Sequence, residues 1–394
     1  MKFRRFLAII TACLMVLSLC PVFAEQAEVP AFETDVADIQ KYGNIVLTIT
    51  GSDVLGLGCE YGDVVSVTIL DKTYDMPVGS NYSDVDTGSM LCRVVYDEGS
   101  DQNAVIIAIN MGDFATTVGL AEKTKIDEDP GYRWDLCDGV EAPVAVAVSM
   151  KEKGGYADEY LIHQLVRSND RADYPDLTDE QYANFRNVAT TGMGEGALYR
   201  SASPVNPEIN RNKEADEALN GAGIETIMNL ADSEETLKTY EDYATSYYAQ
   251  RQVIALNLGV DFTAADFQAG LADGMRFFAS HEGPYLVHCT EGKDRAGFVS
   301  AMLECLMGAS ADEVIADYMT TYFNYYGVEK GTEQYDAIVR SNIAKSLAAA
   351  FGVEDITADG VDLSACAEGY LTAIGLSGDE IASLKANLAR SYVE

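Results

Sequence analysis

Between residues 44 and 148 apolar and polar positions alternate with the two-residue period of half-buried strands. The runs at 45–50, 63–70, 91–96, 105–109 and 144–148 are rich in Val, Ile and Thr, with Gly, Asp and Asn between them. At least five strands follow, and with them an all-β, barrel-like domain over 25–150. Its first stretch, 25–40, is acidic and weakly patterned and reads as a leader to the strands. A connector at 151–183 carries a helix at 157–167 and then a polar segment containing Pro175. From residue 184 short apolar runs at 226–230, 253–256 and 285–289 alternate with helical patterns at 215–220, 234–248, 267–280 and 296–307. That alternation predicts an α/β domain over 184–394, a parallel sheet flanked by helices. Ser310 with Glu313, and Ser377 with Glu380, are capping boxes that open two further helices. The first of these carries Tyr318, Tyr322, Phe323, Tyr325 and Tyr326, an aromatic face that suits either a core or a lid. The pattern at 336–351 is helical too.

Composition changes this picture in three ways. Residues 1–24 combine Lys2, Arg4 and Arg5 with an apolar run and end on Val22-Phe23-Ala24, the pattern of a cleaved signal peptide, so a secreted or cell-surface protein is expected. The net charge of −36 opposes binding to nucleic acid or to an anionic membrane surface, leaving membrane contact only through a lipid substrate. Six cysteines follow the leader: Cys59, Cys92, Cys137, Cys289, Cys305 and Cys366. Their irregular spacing argues against a full disulfide framework, although Cys59 and Cys92 could pair. Cys305 falls on an apolar helix face and reads as a core thiol. The three histidines, His163, His281 and His288, lie on different elements, so no metal or other cofactor is implied.

The chemistry concentrates in one stretch, Val287-His288-Cys289-Thr290-Glu291-Gly292-Lys293-Asp294-Arg295-Ala296-Gly297. A strand end leads into it and a helix leaves it. A thiol there faces backbone N–H groups and a helix N-terminus, a setting that binds an oxyanion and favours thiolate over thiol. Arg295 supplies a planar fork for two phosphate oxygens. Gly292 and Gly297 permit a tight path and close approach.

His-Cys-x-x-Gly-Lys-Asp-Arg-x-Gly resembles the signature of cysteine-dependent tyrosine phosphatases, and most closely the bacterial tyrosine/serine phosphatase family that also acts on phosphoinositides. Two outlying segments, Asn184-Phe185-Arg186-Asn187-Val188 and Leu198-Tyr199-Arg200-Ser201, resemble the opening of the same family. Asn187 and Ala189-Thr190 stand where that family has an acid and two glycines, and Asn229-Leu230-Ala231 departs from its Asp-Leu-Arg. The resemblance implies a cysteine-phosphatase fold with a helical lid formed from 310–351. It implies hydrolysis of phosphotyrosine, with phosphoserine/threonine or phosphoinositides as further substrates, through a phosphocysteine. It assigns Cys289 as nucleophile, Arg295 as phosphate ligand and Asp294 as general acid, with Asp261 and Asp266 as alternatives. His288, Thr290, Glu291, Gly292, Lys293, Ala296 and Gly297 complete the substrate-binding loop. Arg200 either holds the loop by hydrogen bonds or contacts phosphate. Rhodanese-like sulfur transfer and an inactive phospho-ligand binding module are the rival functions. In the first domain Tyr42-Gly43-Asn44, Gly62-Asp63 and Asn110-Met111-Gly112-Asp113 resemble the barrel domain of S-adenosylmethionine hydroxide adenosyltransferases, which implies a structural or interaction module here.

Overall fold

The computed structural model describes residues 31–99 and 102–393; the leader expected at 1–24 lies outside them. The N-terminal domain is a closed barrel of seven strands. Its strands are β1 (Ala31–Ile39), β2 (Ile45–Leu47), β3 (Val64–Ile69), β4 (Lys72–Gly79), β5 (Met90–Tyr96), β6 (Asn103–Ile109) and, after a hairpin of β7 (Ala121–Lys125) and β8 (Tyr132–Leu136), β9 (Ala145–Glu152). The order around the barrel is β1-β2-β6-β5-β4-β3-β9. Every pairing in it is antiparallel except β4 with β5. Ile45, Val65, Val67, Val94, Val105, Ile107, Val146 and Val148 fill the interior, each the apolar member of an alternating run.

Two expectations change here, and one open question closes. The stretch 31–39 is no leader: it is β1, which pairs with β2 on one side and β9 on the other and closes the barrel. Its acidic residues hid the alternation, because Glu33 and Asp38 point to solvent while Thr34 is buried. The run at 45–50 gives only a three-residue strand, because the Thr50–Asp53 capping box starts a short helix, Gly51–Gly56. The six cysteines after the leader are all free, Cys59 and Cys92 included.

The second domain is built on a five-stranded sheet of β10 (Arg186–Asn187), β11 (Leu198–Ser201), β12 (Thr226–Asn229), β13 (Gln252–Ala255) and β14 (Tyr285–His288), in the order β10-β11-β14-β12-β13. Only the edge strand β10 runs antiparallel. β14 is central and wholly buried, as its run Tyr285-Leu286-Val287-His288 requires with a covered face on each side. One face is covered by helices Ala265–Ser280, Asp294–Met307 and Gly378–Leu388, whose Phe278, Phe298, Met302 and Leu384 join Val287 in the main core. The other is covered by Asn212–Gly221 and the segment around Tyr248, which enclose Leu286.

Within this domain the helix expected at 234–248 is only Glu234–Leu237 followed by short 3₁₀ turns, an arrangement that buries Tyr248. The helical stretch at 336–351 is two helices, Glu333–Ser341 and Ile343–Phe351, broken at Asn342, whose backbone leaves the helical region at φ −116°, ψ −96°. A further helix, Leu363–Ala373, had no clear signal in the sequence.

Candidate active site

Cys289 is the first residue beyond the central strand, and Asp294 opens the buried helix Asp294–Met307. Residues 289–293 therefore wrap from the carboxyl end of β14 to a helix N-terminus that no side chain caps.

The loop's carbonyls are tied down one by one. The Ser203 amide donates to the Thr290 carbonyl at 3.1 Å. The Tyr325 hydroxyl donates to the Glu291 carbonyl at 2.6 Å. Arg200, fully buried, donates from Nη2 to the Gly292 carbonyl at 2.9 Å and to the Lys293 carbonyl at 3.2 Å. The Asn184 amide adds weaker contacts, 3.4 Å each, to the carbonyls of Glu291 and Gly292. In a trans peptide the N–H points away from the C=O. With the carbonyls fastened on one side, the N–H groups are left to the other, which is the geometry of an anion-binding bowl beside the buried Cys289. Gly292 makes the curvature possible: its φ is +67°, and a Cβ there would lie 2.1 Å from the Ser201 carbonyl oxygen. Gly297 lets Arg200 and the Tyr318 ring pass close beneath; a Cβ would sit 2.9 Å from Arg200 Nη2 and 2.5 Å from that ring.

Arg200 is itself held by Asp317, Nη1 to Oδ2 at 2.7 Å, and Arg186 grips the same carboxylate, Nε to Oδ1 at 2.8 Å. Of the two roles open to Arg200, the geometry selects the structural one. The two guanidiniums outweigh the burial that would otherwise raise the Asp317 pKa, and hold it below the ordinary carboxylate value. Glu304, one layer deeper, has no hydrogen-bond partner on either carboxyl oxygen among the described residues. Burial, with Asp317 nearby, pushes its pKa well up.

His288 is fully buried. Its Nε2 lies 2.9 Å from the Tyr248 hydroxyl and its Nδ1 3.3 Å from the Cys289 carbonyl oxygen. Burial lowers its pKa to about 4, against the pull of Asp232, so the ring is neutral near pH 7. Behind it, Asn229 Nδ2 donates to the Tyr248 oxygen and to Asp232 Oδ2, each at 3.1 Å. Asn229 is thus the buried link of a chain that ends on His288. Arg295 donates to the Leu258 carbonyl at 2.9 Å, which lays its stem along the mouth, and lies 3.4 Å from the Thr290 hydroxyl. Ala296 is buried beneath it.

A sequence model described as "Tyrosine phosphatase family" matches residues 178–390, more than half of the chain. The chain belongs to the tyrosine phosphatase family. Within this family member, a second model, "SAM hydroxide adenosyltransferase C-terminal domain", matches 34–127, inside the barrel. A curated tyrosine-protein phosphatase of Nostoc commune is 30% identical over 125 residues, which is 29% of this chain and 42% of that protein. The chain therefore spans about two-fifths of that relative's length. Two solved structures align with low scores. An uncharacterized conserved protein from Thermotoga maritima aligns at TM-score 0.22 and 21% identity, covering 30% of this chain and 36% of its own. The core catalytic domain of the PP-IP phosphatase SIW14 from S. cerevisiae, in complex with citrate, aligns at TM-score 0.26 and 16% identity, covering 40% and 85%.

The acid candidates of this family member sit in unlike settings. Asp294 is at the helix start with 42% of its side chain exposed, and Lys293 Nζ is 3.8 Å from Oδ2. Desolvation, with the Glu291 carboxylate nearby, raises its pKa against the pull of Lys293 and Arg295. Asp261 lies on an open loop, where its carboxylate accepts from the Thr263 hydroxyl at 2.7 Å and from the Thr263 amide at 3.0 Å. Those bonds lower its pKa. Asp266 Oδ1 accepts from the Phe267 amide at 2.9 Å in the first turn of its helix. Lys293 Nζ also lies 3.2 Å from Glu291 Oε2 and 5.9 Å from the ring centroids of both Tyr322 and Tyr326. The aromatic helix Ala311–Tyr326 is thus a buttress under the loop: Tyr318, Tyr322 and Tyr325 are buried. Among the described residues no group of three or more His, Cys, Asp or Glu could share a metal ion.

Proposed function

We propose that this protein hydrolyses phosphate monoesters, phosphotyrosine first among them and phosphoserine/threonine or phosphoinositides next, through a phosphocysteine. The observation that carries this reading is the bowl itself, a loop with its carbonyls fastened outward over a buried cysteine, with Arg295 at the rim. Cys289 Sγ attacks phosphorus as the P–O ester bond breaks, and the S–P bond forms. The leaving oxygen takes a proton from Asp294. Water then attacks phosphorus and gives its proton to Asp294, the S–P bond breaks, and phosphate leaves with the thiolate restored. The inward N–H groups and Arg295 stabilise the charge on the equatorial oxygens. Neutral His288 holds the loop and is not the base.

Asp294 suits the acid role because its pKa is raised, whereas the hydrogen bonds of Asp261 favour its charged form. Asp294→Asn is expected to lower kcat about 100-fold and Asp261→Asn to leave it within about twofold. The primary test is p-nitrophenyl phosphate turnover in reductant with chelator present, blocked by vanadate, in wild type and Cys289→Ser. Activity surviving in Cys289→Ser would overturn the reading. Thiocyanate release from thiosulfate and cyanide would transfer the site to sulfur chemistry, and tight phosphopeptide binding without turnover would make it a binding module. Export rests on the leader at 1–24; a mature N-terminus at Glu25 in a culture supernatant would establish it.

A further inference from the structure

The connector between the two domains does more than span them. It leaves β9 at Glu152 and forms a helix, Ala157–His163, that is wedged between both domains. On the barrel side the Tyr160 ring stacks on Tyr61 at 5.6 Å and Gln164 Nε2 donates to Asp84 Oδ1 at 3.0 Å. On the other side Arg340 pairs with Asp158 at 2.6 Å. Just beyond this helix the usual polarity is inverted. Val166 is 85% exposed, while the next side chain, Arg167, is only 17% exposed. A charged side chain turned inward beside an apolar one turned outward needs a specific partner.

That partner is in the phosphate loop. Arg167 Nη1 lies 2.6 Å from Glu291 Oε1, and its guanidinium is 5.3 Å from the Tyr325 ring centroid. Glu291 is thereby stretched between two cations, with Arg167 on Oε1 and Lys293 on Oε2 at 3.2 Å. The backbone after Arg167 is pinned to the same helix that holds the loop. The Ser168 amide donates to the Tyr174 hydroxyl at 3.0 Å, and that hydroxyl donates to the Tyr325 carbonyl at 3.1 Å. A carboxylate two residues after the nucleophile opposes any phosphate entering the bowl. Without Arg167, its sole cation would be Lys293, and the rim would lose one positive charge.

We propose that Arg167 is a positioning residue of the phosphate site: it fixes the Glu291 carboxylate against the rim and cancels its charge, so that anion capture by the Cys289 loop depends on the connector. The proposal rests on reading the loop as a phosphate site. It makes the seat of the connector segment around Arg167 a determinant of substrate affinity.

The test is a cycle on the full chain with Arg167→Met, Glu291→Gln and the double variant, with Arg133→Met as a control. Arg133 sits exposed in the barrel hairpin and removes the same formal charge. Two quantities are read: kcat and KM for p-nitrophenyl phosphate, and the Kd of tungstate by calorimetry. Arg167→Met is expected to raise KM and tungstate Kd about tenfold with kcat within about twofold, as for the loss of one close charge interaction. In the Glu291→Gln background the same Arg167→Met change should alter KM and tungstate Kd by no more than about twofold, and Arg133→Met should change neither in the wild-type background. Equal tungstate affinity in wild type and Arg167→Met would overturn the proposal, and so would an approximately tenfold loss of the double variant relative to Glu291→Gln, which marks a merely structural loss. If no protein turns over substrate while the tungstate pattern holds, the hydrolytic reading falls and the clamp stands. Normal turnover with a flat tungstate pattern gives the reverse.

Discussion

The barrel and the phosphatase domain bury charge in opposite ways. In the barrel the two buried aspartates are satisfied largely by backbone amides: Asp84 accepts those of Ser80 and Asn81 at 2.6 and 2.8 Å. Asp63 accepts those of Glu60 and Gly154 at 2.7 and 2.8 Å. Such groups fix turns and strand ends. In the phosphatase domain the buried charges meet one another: the side chains of Arg200, Arg186, Asp317 and Glu304 gather under the loop. Burying several charges together is a poor route to stability, since desolvation offsets most of the attraction. Its return is geometric, because Arg200 has one guanidinium for two loop carbonyls and one carboxylate. The costly polar interior therefore marks the element whose shape matters, and the described residues of the barrel hold no counterpart to it.

The comparison is broken most directly by removing one cation from each domain. Arg200→Met leaves Asp317 with Arg186 as its remaining guanidinium and frees two loop carbonyls, and is expected to cost about 3 kcal/mol in urea unfolding and to abolish turnover. Lys153→Met removes the cation 2.9 Å from Asp63, but that carboxylate keeps its two backbone donors. A loss of about 1 kcal/mol, with kcat unchanged, is expected there. Equal losses would mean that the barrel's charges are as deeply committed as those under the loop. Glycines sharpen the same contrast at smaller scale. Gly292→Ala combines φ +67° with a Cβ 2.1 Å from a backbone oxygen, and about 2–3 kcal/mol together with most of the activity should be lost. Gly119→Ala in the barrel, with φ +77° and nothing within 4 Å of the added Cβ, should cost about 1 kcal/mol.

Much of this was legible in the sequence, and the failures share a cause. The loop from His288 to Gly297 was readable because its chemistry is local: strand end, thiol, glycine, arginine and helix start follow one another within ten residues. The barrel's central strands were readable because Val and Ile alternate with polar residues, whereas β1 was not, its Glu33, Asp35 and Asp38 looking like a solvated tail. Arg200 could be suspected of holding the loop. Its partner Asp317 carries no such signal, lying 117 residues away on a helix whose pattern is dominated by its aromatic face. Arg167 and Glu291, Tyr248 and His288, and Glu304 beneath Arg200 are likewise pairings across elements. No periodicity announces them, because each residue is an ordinary polar position in its own helix, loop or strand.

Glu304 offers the finest test of how the buried cluster differs from the barrel. Burial and Asp317 raise its pKa, while Arg200 and Arg186 pull the other way without prevailing. Below the unfolded-state pKa of about 4.3 the carboxyl is protonated in both states, so it adds no pH dependence. Above that value the unfolded chain releases a proton that the folded chain keeps, and stability falls with rising pH until the folded pKa is reached, by up to about 1.4 kcal/mol per unit. Glu304→Gln lacks that slope. Its stability relative to wild type should therefore climb as pH rises from about 4.5 toward 7, measured by urea unfolding across that window. Asp317, with its lowered pKa, acts in the opposite sense: its contribution is present above the unfolded carboxylate pKa and is lost as pH falls. It remains in both proteins, so the difference between their profiles isolates Glu304. A flat difference would mean that Glu304 is ionised beside Asp317, and that Arg200 and Arg186 hold two carboxylates under the loop rather than one.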